Sequence, residues 1–204
     1  MKLALPGRVI IRIGQPSAAW CKALPRAVPI ARRAAQAALG YGFKSAPHRR
    51  TLRDKISLGG HFELGVALGT NAAVQRLNRS YRGKDTPTNV LSFPASMPNL
   101  GRLGGPCPLG DVIVAFGVAK AESRAANKSL EAHLSHLVLH GVLHLLGYDH
   151  KAVRDTTIME QLESQIMARM GFADPYGAVS IAPPRRSPRR KSSRSTVKQP
   201  YSRP

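Results

Sequence analysis

The chain has 204 residues and a hydrophobic fraction of 43%, enough for one domain with a sizeable core. Its 31 Lys and Arg against 11 Asp and Glu give a formal net charge of +20, far beyond what solubility requires, so a polyanionic partner is expected, nucleic acid first and an anionic membrane surface second. Cys21 and Cys107 stand in neither metal nor redox spacing, which excludes a disulfide framework and fits a reducing cytoplasm, and no apolar run approaches the ~20 residues that span a bilayer.

Taken in order, residues 9–13 (Val-Ile-Ile-Arg-Ile) read as a strand bounded by Pro6, Gly7 and Gly14. The Arg- and Ala-rich stretch 31–39 precedes the first acidic residue, Asp54. It has the composition of an amphipathic transit peptide, yet a helix ended by Gly40 accounts for it without cleavage. Residues 44–55 read as a basic, exposed connection, and 62–68 as a second strand despite Gly65 in its middle. Thr70 can cap a helix whose apolar face is Val74, Leu77 and Tyr81, with Arg82 at its end. A turn at 85–87 leads to a third strand, 89–93, stopped by Pro94.

Residues 95–108 are rich in Gly and Pro and read as a loop beside the cleft, before a fourth strand at 110–115. Helices are expected at about 117–126, 130–146 and 154–170, the last presenting Ile158, Leu162, Ile166 and Met170 along one face before Gly171 ends it. From Ser180 onward there are eight basic residues and no acidic one. The division is therefore a domain over 1–178 and a basic, disordered tail over 179–204, whose attraction to RNA would be independent of sequence and sensitive to salt.

The chemistry concentrates at His140, His144 and His150. Four residues apart on a helix, His140 and His144 differ by about 40° and project from one face. Gly147 can end the helix in a left-handed conformation, so the chain folds back and brings His150 toward the pair. Three neutral nitrogens with one position left for water form the pattern of a catalytic zinc. His136 lies four residues before His140, but about 12 Å of helix separates it from His144, so it supports the site from outside or packs. Gly141 stands where a His-Glu-x-x-His peptidase carries its general base, which argues against peptide hydrolysis. Asp149 is the nearest carboxylate, read equally as a proton-handling group or a turn residue.

The run His140-Gly141-Val142-Leu143-His144-Leu145-Leu146-Gly147-Tyr148-Asp149-His150 resembles the signature of the YbeY family, zinc-dependent bacterial endoribonucleases implicated in ribosomal RNA maturation and ribosome quality control. The block from Leu77 through Tyr81-Arg82-Gly83-Lys84-Asp85-Thr86-Pro87-Thr88-Asn89 to Pro94, and Leu109-Gly110-Asp111-Val112-Ile113, resemble it too. Asn89 departs from the aspartate usual there and is given no role. The likeness spans about 62–176 and excludes the tail.

This resemblance implies an α+β, zincin-like single domain: a small mixed sheet of about four strands packed by helices, with the metal-bearing helix in a cleft. It implies one Zn2+ per chain on His140, His144 and His150, Arg82 as a catalytic group near the metal, and Lys84 in substrate binding. The implied setting is cytoplasmic, with single-stranded RNA, 16S rRNA and the small ribosomal subunit as partners, joined by a ribosomal protein or an assembly GTPase, and no membrane. The competing readings are a noncatalytic assembly factor with a structural zinc, or another metallohydrolase. A zinc deaminase is excluded, because Pro106-Cys107-Pro108 has no second cysteine after it.

Overall fold

Four strands make one mixed sheet in the computed structural model, which describes residues 9–45, 61–95, 107–150 and 152–177. They are β1 (Val9–Ile13), β2 (Phe62–Gly69), β3 (Val90–Pro94) and β4 (Cys107–Ala115), in the spatial order β1-β2-β4-β3. β2 runs parallel to both β1 and β4, while β3 is antiparallel to β4. Along β2 burial alternates, with Phe62, Leu64, Val66 and Leu68 inside and Glu63, Gly65, Ala67 and Gly69 half-exposed. This is the period of a strand with one face on the core. Gly65 belongs here because a β-carbon at that position would run into the Asp111 carboxylate on β4.

The six helices among the described residues are α1 (Ala18–Ala23), α2 (Ala27–Ser45), α3 (Asn71–Arg82), α4 (Phe116–Ala125), α5 (Leu130–Leu145) and α6 (Val153–Arg169). The fold is thus α+β with a four-stranded mixed sheet, as expected. None of these helices is long and apolar enough to cross a membrane. α5 is the centre of the molecule: Leu134, Val138, Leu139, Val142 and Leu143 are fully buried, and it packs on β3, β4, α2, α4 and α6. Two glycines make these approaches possible. A β-carbon at Gly42 of α2 would lie 2.5 Å from Leu143 and 2.9 Å from Leu146; one at Gly141 of α5 would lie 2.6 Å from Val112 of β4. Gly141→Ala should therefore overpack the helix–sheet contact and cost about 1–3 kcal/mol, read as a lower urea midpoint at unchanged slope.

Several expectations are corrected. Gly40 does not stop a helix, because α2 continues to Ser45 with Gly40 and Gly42 buried in it; Lys44, expected in a connection, is helical. The stretch 31–39 is helical as expected, and it lies in the core, with Ala31, Ala34, Ala35, Ala38 and Leu39 buried. On α3 the buried residues are Val74 and Asn78, while Tyr81 is 70% exposed and leans on Phe93 with ring centroids 4.9 Å apart. On α6 the buried face is Met159, Glu163, Ile166 and Met167; Ile158 is exposed. Ile166 and Met170 are buried as expected; the face also carries Met159 and Glu163, whose carboxylate meets His136 and His140 of α5. Cys107 and Pro108 open β4 instead of closing a loop. The rest of that loop (96–106), most of the basic connection (46–55), the last domain residue, 178, and the tail (179–204) lie outside the described residues. Thr70 caps α3 as expected, accepting from the Ala73 amide at 3.2 Å.

Candidate metal centre

α5 is capped by Ser129, whose side chain accepts from the Ala132 amide at 3.1 Å, and its end is set by Gly147 at φ 91°. The Tyr148 amide donates to the Leu143 carbonyl (3.1 Å) and the Gly147 amide to that of His144 (2.9 Å), the paired bonds of a Schellman motif. The Tyr148 hydroxyl then donates to the Gly42 carbonyl at 2.8 Å, with burial pushing its pKa up to about 12. This pinned reversal lays His150 over His140, with rings 5.1 Å apart and 16° from parallel; His144 stands 4.6 Å from His140 and 5.2 Å from His150.

One nitrogen from each of these three rings lies within 4.8 Å of the other two, a group that could hold a metal ion. The Nε2 atoms of His140 and His144 are 3.1 Å apart, close to the separation of about 3.3 Å for two ligands ~2.0 Å from a tetrahedral ion. Both outer nitrogens are engaged. His144 Nδ1 donates to the Tyr148 carbonyl at 2.9 Å, which leaves the Nε2 lone pair facing inward. Burial, reinforced by His140, lowers the His144 pKa and favours the neutral imidazole, the ligating form. His140 Nδ1 meets Glu163 Oε1 at 2.8 Å.

Glu163 is fully buried. Its second oxygen is 2.7 Å from His136 Nε2 and accepts from the Tyr176 hydroxyl. Burial pushes its carboxyl up, but the bonds and charges of His136 and His140 outweigh this and hold the pKa at about 2; burial and Glu163 together raise Tyr176. His136, His140 and Glu163 form a second group of metal-ligand type. Their contacts of 2.7 and 2.8 Å are hydrogen-bond lengths, too short for two ligands on one ion.

His140, His144, Asp149 of the turn, Arg82, Asn89 and Ser92 line one cleft of about 500 Å3. Arg82 is there because α3 ends at it, Gly83 following at φ 68°. Lys84, two residues on, is exposed and outside the cleft lining. Asp149 accepts from the His150 amide at 2.8 Å. Asn89, given no role from sequence, donates to Glu122 at 3.0 Å and accepts from the Val90 amide at 2.7 Å. Sequence reasoning misses Glu163 and Tyr176. The available signal is a Glu inside an apolar helix stripe, combined with a histidine one turn before His140.

The family model described as Endoribonuclease YbeY matches residues 44–171. The chain belongs to the YbeY family. Endoribonuclease YbeY of Paramagnetospirillum magneticum is 44% identical over 170 residues, covering 82% of this chain and 95% of its own. That of Parvibaculum lavamentivorans is 52% identical over 122 residues, covering 57% and 66%. The solution structure of TM1509 from Thermotoga maritima aligns over 83% of this chain and 100% of its own at 20% identity and TM-score 0.41, a likeness too loose to carry detail. Membership of the YbeY family makes the chain an RNA-cutting hydrolase. The three histidines, Arg82, Asp149 and Glu163 all lie within the YbeY match, and Tyr176 lies beyond it.

Proposed function

We propose that this protein is a zinc-dependent endoribonuclease cutting single-stranded RNA, with one Zn2+ on His140, His144 and His150 and the scissile phosphate gripped by Arg82. The observation that carries this reading is that Arg82, His140 and His144 line one cleft, with the His150 ring 5.1 Å from that of His140. Three neutral nitrogens are a donor set that suits zinc and leaves a position for oxygen. When bound, the ion polarises a phosphate oxygen or lowers the pKa of a water. The Arg82 guanidinium offers two parallel donors to the non-bridging oxygens and stabilises charge that builds there. Asp149, the cleft-lining carboxylate next to His150, is in place to orient a ligand or accept a proton. Lys84, exposed and outside the cleft lining, serves the RNA backbone beyond the cut.

The same reading places the protein in 16S rRNA maturation and ribosome quality control on the small subunit, in the cytoplasm, with a ribosomal protein or an assembly GTPase as partner. Family membership and the +20 charge support it. The domain is assigned to 1–178 and the tail, 179–204, to sequence-independent RNA binding. Truncation after residue 178 should flatten the salt dependence of RNA binding, by about 0.7 in log–log slope for each phosphate the tail would neutralise, and leave kcat at saturating RNA unchanged.

The test is cleavage of a single-stranded ribosomal RNA fragment by the full chain. A zinc chelator should stop it and added Zn2+ should restore it. RNA bound but left intact in the presence of Zn2+ would replace the enzyme by the noncatalytic assembly factor.

A further inference from the structure

We infer that Glu163 is a positioning residue of this centre, fixing His140 in the tautomer that offers Nε2 inward, and that Tyr176 completes the support from outside the family-matched segment. The inference rests on the reading of His140, His144 and His150 as metal ligands.

The geometry runs from α6 into α5. His136 and His140 are one turn apart and both reach the same fully buried carboxylate, at 2.7 and 2.8 Å. An ionised carboxylate only accepts hydrogen bonds, so His140 Nδ1 carries the hydrogen. A neutral imidazole with its hydrogen on Nδ1 has its lone pair on Nε2, and Nε2 is the atom that faces His144 at 3.1 Å. The nearby negative charge also makes that imidazole a more basic ligand. The arrangement repeats at His144, where the Tyr148 carbonyl accepts from Nδ1, so both helical histidines present the same nitrogen.

Packing alone does not account for Glu163. A buried carboxylate is costly to desolvate and an apolar side chain would fill a helix interface as well. Three donors, from His136, His140 and Tyr176, converge on it instead. Tyr176 is held in reach by Asp174, which accepts from Ser164 of α6 at 2.6 Å and from the Tyr176 amide at 3.0 Å, and by Lys128, which donates to the Pro175 carbonyl at 2.5 Å. The segment after α6 is thus tied to the centre, although the family match ends at residue 171.

The experiment uses the full chain, with folding followed by circular dichroism. Zinc affinity is measured by competition with a chromophoric chelator for wild type, Glu163→Gln, Tyr176→Phe and His144→Ala, and the His140 tautomer of each zinc-free protein is read from imidazole 15N shifts. The expected result is the Nδ1–H tautomer at His140 in wild type. Glu163→Gln should lose that preference, since a glutamine can turn its amide nitrogen toward either ring, and should bind zinc about 10–100-fold more weakly. Tyr176→Phe, which removes one hydroxyl and tests the idea should Glu163→Gln fail to fold, should weaken zinc severalfold. Zinc affinity within twofold of wild type in both variants, or an Nε2–H tautomer in wild type, overturns the inference. If wild type takes up no zinc, or His144→Ala binds it as tightly, the metal reading falls first and the positioning role falls with it.

Discussion

Replacing His144 by alanine should abolish zinc uptake and RNA cleavage together while the fold survives. The side chain is half-buried, and its ties to the described residues include Nδ1 to the Tyr148 carbonyl and Nε2 toward His140. The turn that follows is held independently by the Leu143–Tyr148 and His144–Gly147 backbone bonds and by the Tyr148 hydroxyl on Gly42. Removing the imidazole therefore takes one of three donors from the centre and little from the scaffold. Loss of the ion's charge stabilisation, several kcal/mol, corresponds to a fall in cleavage on the order of a thousandfold or more. Single-turnover cleavage of the ribosomal RNA fragment, with bound zinc quantified in parallel, reads both effects. Cleavage within tenfold of wild type would remove His144 from the site.

Arg82→Ala should separate chemistry from metal binding. Arg82 is exposed at the end of α3 and lines the cleft that His140 and His144 also line, so its loss should shift stability by no more than about 0.5 kcal/mol and leave zinc affinity unchanged. A preorganised donor to developing charge is worth about a hundred- to a thousandfold in kcat, and that is the drop expected. Arg82→Lys should recover only part of it, since a point charge lacks the planar pair of donors. Arg79→Ala is the control: Arg79 lies on the same helix but is exposed and 3.7 Å from Asp85, and kcat should stay within threefold. If Arg79 and Arg82 variants lose activity equally, Arg82 is one more charge in a basic surface.

The histidine cluster is legible because its geometry is local. A spacing of four on a helix and a glycine stop before a third histidine are both written in one short run. Glu163 is only faintly legible, because a glutamate beside Leu162 on α6 reads as the solvent side of the helix until His136 and His140 of α5 are placed against it. The stripe drawn through Ile158, Leu162, Ile166 and Met170 holds at Ile166 and Met170, while the helix buries Met159 and exposes Ile158. Glycine misleads in the same way. Gly40 reads as a stop because a sequence shows a glycine's freedom and not its closeness to a neighbour, whereas Gly42 and Gly141 serve helix contacts where an added β-carbon would come within 3.0 Å of Leu143 and Val112 and force a neighbour to shift. The strand order is beyond reach, since β1 pairs with β2 across a long stretch of chain and no local pattern specifies which strand neighbours β4.

The contrast between those two ranges of contact bears on the order of assembly. The three imidazoles sit within eleven residues, a loop that closes at small cost in chain entropy, whereas the parallel register of Val9 with Phe62 must be found across a separation of the kind that slows folding. We expect the helix–turn bearing the histidines to form ahead of β1 joining the sheet, so that an ion can be captured by a chain still incomplete. Pulse-labelled hydrogen exchange during refolding would show it as protection of the Gly147 and Tyr148 amides before those of Ile10 to Ile13; the reverse order would refute it.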